Sequence, residues 1–189
     1  LQLHYFRTAP WLSWWETVND NTNAYSINWN GFQTVNRFAD WYDAPYGRWL
    51  TARGYEVGLG VWGFENWLEN TNFPAGYPEI AETLAAYVIH QRVSNNVAMN
   101  TYEVQNEPAL STTKYPTPAM LVTGALAVID MFDRYGLTNL MLHAPNHHQP
   151  AGTLAWAGPW FSNATLRART TAVSFHTYWS QNFSDYDGI

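Results

Sequence analysis

Thr101 to Pro108 reads TYEVQNEP, a β-type run that ends directly in Asn106-Glu107. Pro108 has no N–H to offer a neighbouring strand, so pairing stops there. Extended back to Ala98 (AMNTYEVQ), the run predicts a strand that holds a carboxylate at its C-terminal mouth. Similar runs lie on either side: Tyr55 to Trp62 (YEVGLGVW), Asn139 to Ala144 (NLMLHA), Thr171 to Tyr178 (TAVSFHTY) and, at the start, Leu1 to Phe6. That makes five candidate strands.

Helical patterns separate them. Pro78 to Arg92 opens with Pro and Glu and repeats Ile80, Leu84, Val88 with Ala81 and Ala85 at helical spacing. Thr117 to Tyr135 has Thr117 as N-cap, Pro118 in the first turn, an apolar face of Leu121, Ala125, Val128 and Phe132, and Gly136 as the stop. A third helix is expected from Phe32 to Asp43, restarting after Pro45 and ending near Arg53. Alternating strands and helices with no antiparallel hairpin signal predict an α/β fold, a TIM (β/α)8 barrel that is incomplete here, with about five βα units. The chain reads as a single catalytic barrel domain over residues 1–189, cut at both ends.

Composition narrows the function. Nine Lys and Arg stand against 15 Asp and Glu, a net charge of -6 with no basic cluster, which argues against nucleic acid as a partner. The longest apolar stretch, Met120 to Phe132, is broken by Thr123 and Asp130, so no membrane span is expected. With no Cys, disulfides and thiolate chemistry are out. Eleven Trp, 12 Tyr and 9 Phe mean either an unusually aromatic core or a wet groove lined with flat rings. Trp11, Trp14, Trp15, Trp29, Trp41 and Trp49 are expected to be packing residues. Trp62 and Trp179 follow strand ends and are expected to be stacking platforms for a ligand.

Asn-Glu-Pro after a strand, in the wording EVQNEP, resembles the clan A glycoside hydrolases, (β/α)8-barrel enzymes, and families 30 and 39 among them. FHTYW at Phe175 to Trp179 is similar to the His-x-Tyr of family 5 and its relatives, and Arg7 matches an arginine those enzymes place after the second strand. The resemblance spans strands two to six of such a barrel. It implies a retaining glycosidase acting on a β-linked oligo- or polysaccharide, with Glu107 as general acid and base. Asn106 would bind the sugar 2-hydroxyl, His176 and Tyr178 would frame the subsite, and Arg7 would keep the nucleophile ionised. No Glu follows Glu107, so the nucleophile is expected beyond residue 189, and the 189 residues alone are expected to be inactive.

Other residues admit plainer readings. Glu103, four residues before Glu107, is expected to be an interior group tied by hydrogen bonds. His143, His147 and His148 suggest a metal, but no Asp or Glu lies between Asp133 and Asp185; Asn146 and His147 are expected to touch sugar hydroxyls, with no metal and no cofactor. Asn163-Ala-Thr165 and Asn182-Phe-Ser184 match the glycosylation sequon. A secreted or extracytoplasmic location is expected. The alternative is a non-catalytic carbohydrate-binding protein of the same fold.

Overall fold

The computed structural model describes residues 5–9, 12–33, 42–64, 67–68, 73, 75–110 and 114–177. Five strands, β1 (Tyr5–Thr8), β2 (Glu56–Gly60), β3 (Met99–Glu103), β4 (Met141–His147) and β5 (Thr170–Phe175), form one sheet in chain order. Every neighbouring pair is parallel. Val57 pairs with Met99, so the expected absence of antiparallel pairing between those two runs is met. Among the described residues the antiparallel contact is an isolated bridge, Glu16 to Phe32. The sheet curls into a half-barrel with helices α1 (Ala44–Thr51), α2 (Tyr77–Ile89), α3 (Pro118–Arg134), α4 (Pro150–Ser162) and α5 (Ala164–Arg169).

Side-chain alternation sorts the two faces of the sheet. Leu59, Val61, Tyr102, Val104, Leu142 and Ala144 point to the helix layer and join Leu84, Val88, Ala125, Val128 and Phe132 in the main core. Tyr5, Arg7, Thr101, Glu103 and His143 occupy the inner face, where the Tyr5 and His143 rings lie 4.4 Å apart. On β2 that face carries Gly58 and Gly60. A Cβ on Gly58 would stand 2.4 Å from the Tyr5 hydroxyl, and one on Gly60 would stand 2.1 Å from Cδ of Arg7. The two glycines form a trough across which the long side chains of β1 lie.

Helix α3 follows the sequence reading. The Thr117 hydroxyl accepts from the Met120 N–H at 3.2 Å, and Gly136 ends the helix at φ 74°, where a side chain would be strained. Helix α2 is more deeply buried than a single stripe requires, because Glu82, Thr83, Ala86 and Tyr87 are buried as well. The covering layer is the excursion of residues 12–33 between β1 and α1. Trp15 donates to the Thr83 carbonyl at 3.2 Å and packs edge-on against Tyr87.

Several expectations need correction. Phe32 does not begin a helix: it follows the short 3-10 turn Trp29–Gly31, whose Asn28 side chain accepts from Asn30. Residues 34–41 of that expected helix lie outside the described residues, and its second part is α1. Trp14, Trp29 and Trp49 are 40–51% exposed and lie outside the core, whereas Trp15 is buried in it; Trp11 and Trp41 lie outside the described residues. Strand β4 runs three residues past Ala144, through the cis peptide Ala144-Pro145. The ladder to β5 is irregular between Pro145 and His147, next to the proline that has no N–H to give. Helices α4 and α5 had no counterpart in the sequence reading. Gly152, Gly158 and Pro159 depress helix propensity in α4, and its own apolar residues are spread over its faces instead of forming one stripe.

Candidate active site at the mouth of the half-barrel

Past the regular ladder, single backbone hydrogen bonds hold the strand ends together. The Asn106 N–H donates to the Val61 carbonyl at 2.6 Å, the Glu107 N–H to Asn146 at 3.1 Å and the His176 N–H to His147 at 2.8 Å. Glu107 and Asn146 both adopt left-handed backbone, at φ 51° and 57°. For residues other than glycine this conformation costs about 1–2 kcal/mol each and is sustained by the surroundings. The turn at Glu107 continues into the 3-10 segment Pro108–Leu110, with the Leu110 N–H donating back to the Glu107 carbonyl at 2.8 Å.

That backbone aims the Glu107 carboxylate at His176, whose Nδ1 lies 2.6 Å from Oε1. Both side chains are largely shielded, at 19% and 11% exposure. Beside them Trp62, Gln105, Asn106, Glu107 and Leu110 line a cleft of about 300 Å³. Oδ1 of Asn106 and Oε1 of Gln105 are buried there without a hydrogen-bond partner. The Gln105 amide is oriented by its own Nε2, which donates to the Asn106 carbonyl at 2.9 Å. Both oxygens are closed off from solvent, so hydroxyl donors of a ligand would reach them only after these side chains turn toward the cleft.

Behind the cleft lies a buried ionic group. Arg7 pairs with Glu103, which also accepts from Nδ2 of Asn146 at 2.8 Å. The Arg7 guanidinium lies 5.7 Å from the Trp62 ring, joining this group to the cleft wall. Glu103 is an interior, hydrogen-bonded residue, as its position on the strand suggests. Burial, with the Glu103 charge beside it, raises the Tyr5 hydroxyl well above its ordinary range, so it stays protonated.

The expected site residues fall into three groups. Glu107 and His176 meet, and Asn106 and Trp62 share their cleft. Arg7, Asn146 and His147 lie behind it: Arg7 is on Glu103, and Asn146 and His147 are buried, their side chains engaged inside rather than presented to a ligand. The His147 Nδ1 lies 2.7 Å from the Gln149 carbonyl, its ring packs over Gly152, and burial lowers its pKa below the usual histidine range. Tyr178 and Trp179 lie outside the described residues. Gln105 and Leu110 were not anticipated. Gln105 shares the face of Glu103, two residues on, and that period-two spacing is the signal that could have found it. Among the described residues no group of three His, Cys, Asp or Glu side chains could hold a metal ion, and no helix is long and apolar enough to cross a membrane.

Parallel strands in chain order, helices outside and polar side chains gathered at the C-terminal strand ends define half of a (β/α) barrel, the layout of barrel enzymes. Solved structures similar to this chain include three glycoside hydrolases. A GH30 endoxylanase from Clostridium papyrosolvens superposes with a TM-score of 0.63 at 20% identity, over 93% of this chain and 43% of that one. An endo-β-1,6-glucanase gives 0.67 at 14% identity, over 96% and 44%. A family 30 subfamily 8 xylanase from Clostridium acetobutylicum gives 0.57 at 15%, over 82% and 41%. The chain thus spans less than half the length of these relatives. No protein-family profile and no curated protein matches the sequence.

Proposed function

We propose that this chain is the acid/base half of a retaining glycoside hydrolase acting on a β-linked oligo- or polysaccharide. The observation that carries the reading is the Glu107 to His176 contact at the mouth of the half-barrel, beside a cleft with unpartnered acceptors. With Oε1 engaged by His176, Oε2 is the oxygen left to protonate the glycosidic oxygen and then to deprotonate the water that releases the sugar. Asn106 Oδ1 accepts from a sugar hydroxyl, a bond that strengthens as the oxocarbenium-like state forms. Trp62 offers a flat face to the ring.

The second carboxylate, about 5 to 5.5 Å from Glu107 in a retaining enzyme, comes from a glutamate beyond residue 189. Arg7 belongs to the charged group behind the cleft, where it holds that nucleophile ionised. Action on polysaccharide fits a secreted or extracytoplasmic protein. The solved relatives are named as a xylanase and a β-1,6-glucanase, which supports the substrate class and leaves the linkage open between them.

One observation favours the second reading, a carbohydrate-binding protein without catalysis: among the described residues Glu107 is the one carboxylate on the cleft wall. A single substitution separates the two. In the protein carrying the glutamate nucleophile, Glu107→Gln lowers turnover on the order of 10²- to 10⁴-fold while sugar binding persists. Azide then restores cleavage of substrates with good leaving groups. Turnover unaffected by the substitution would remove Glu107 from the mechanism.

A further inference from the structure

Glu107 and His176 stand on different strand ends, 69 residues apart in sequence, yet their side chains meet at 2.6 Å. The segment between them in space is the end of β4. Its consecutive carbonyls, of Asn146 and His147, accept the N–H groups of Glu107 and of His176 respectively. The orientation of this one two-residue segment therefore sets where both partners sit.

Asn146 fixes that orientation. Its side chain turns inward, where Nδ2 donates to Glu103 Oε2 at 2.8 Å and lies 3.5 Å from the Gln105 carbonyl. Glu103 is itself held by Arg7. The backbone at Asn146 is left-handed, so its carbonyl points at Glu107 instead of continuing the ladder, and asparagine is among the few side chains that tolerate this conformation. A purely local fit would explain the φ angle alone. It gives no reason for an amide aimed at a buried carboxylate on one strand while the carbonyl of the same residue holds the next functional carboxylate on that strand.

We propose that Asn146 is a positioning residue: anchored on Glu103, it presents the β4 carbonyls that assemble the Glu107–His176 pair. The proposal rests on the glycosidase reading for its purpose, but not for its geometry. An angstrom of misplacement in such a pair lowers turnover on the order of tenfold to a hundredfold.

The test is the ring 15N resonance of His176 in the full-length protein. Replacing Glu107 by Gln removes the carboxylate against Nδ1 and shifts that resonance. In Asn146→Gly, which keeps the left-handed backbone and removes the anchor, the same replacement shifts it by less than half as much. Asn146→Asp, equal in size and unable to donate to Glu103 once ionised, behaves likewise at a pH where it is ionised and guards against an effect of the lost volume. In the hydrolysing protein Asn146→Gly lowers kcat on the order of tenfold or more, with KM little changed. A folded Asn146 variant with the full parental shift overturns the proposal. So does global unfolding of both variants, which would make Asn146 a residue of general stability. If instead Glu107→Gln leaves hydrolysis intact, the glycosidase reading fails while the resonance still decides the role of Asn146.

Discussion

The excursion of residues 12–33 and the strand–helix units that follow β1 hold their backbones in opposite ways. In the units, ladders and helices satisfy the main chain, and apolar side chains do the rest. In the excursion, asparagines take the place of ladders. Asn19 accepts from the N–H of Asn21, Asn21 from that of Asn23, and Asn23 from that of Tyr25, a succession of side-chain turns. What attaches this polar loop is a narrow apolar root of Leu12, Trp15 and Phe32 set against α2. A long loop can thus be firmly seated while most of its aromatic residues face water.

The contrast is most sharply tested at two adjacent tryptophans. Trp15→Ala is expected to cost about 3–5 kcal/mol, as much as Phe132→Ala in the heart of the units, where that ring packs edge-on against Tyr102 at 5.0 Å. Trp14→Ala, half exposed, is expected to cost less than about 1 kcal/mol. Urea midpoints measure all three. A Trp15 variant far milder than the Phe132 variant would mean that the excursion is only laid on the surface.

A smaller effect is expected where the two regions meet. Glu82 of α2 accepts from the Asn21 amide at 3.2 Å, and burial, with the charge of Asp20 beside it, raises its pKa to about 7. A carboxyl group whose folded pKa is raised favours the folded state most below its unfolded pKa. That contribution is lost as pH rises through the folded value. Glu82→Gln is therefore expected to raise Tm at pH 8 by a few degrees, on the order of 1 kcal/mol, and to leave it unchanged at pH 4. Thermal melts at the two pH values measure this; an equal change at both refutes the buried charge. The smallest effect belongs to the units themselves, where Thr117→Ala is expected to cost about 1 kcal/mol or less through its lost cap, read from the urea midpoint.

What the sequence revealed follows the same division. Strand and helix periods, the caps of α3 and the carboxylate at Glu107 were legible because each depends on residues close in the chain. Trp14 and Trp15 look alike in a sequence, and only the position of α2 decides which of them is covered. Helix α4 was hidden by Gly152, whose absent side chain leaves room for the His147 ring: a Cβ there would stand 2.1 Å from it. Asn146 read as a loop residue free to meet a sugar. Its inward turn depends on Glu103, 43 residues earlier, and no local signal encodes that pairing.

The glycine trough on β2 has a consequence for how such a sequence can change. Arg7 fills the space that any side chain at position 60 would need, as Tyr5 does at position 58. A mutation at Gly60 is therefore harmful while Arg7 is present, and becomes admissible only after Arg7 has given way to something shorter. That first replacement strips the charge partner from buried Glu103. Each route between the two states passes through a damaged intermediate, so Gly60, Arg7 and Glu103 are expected to be exchanged only together.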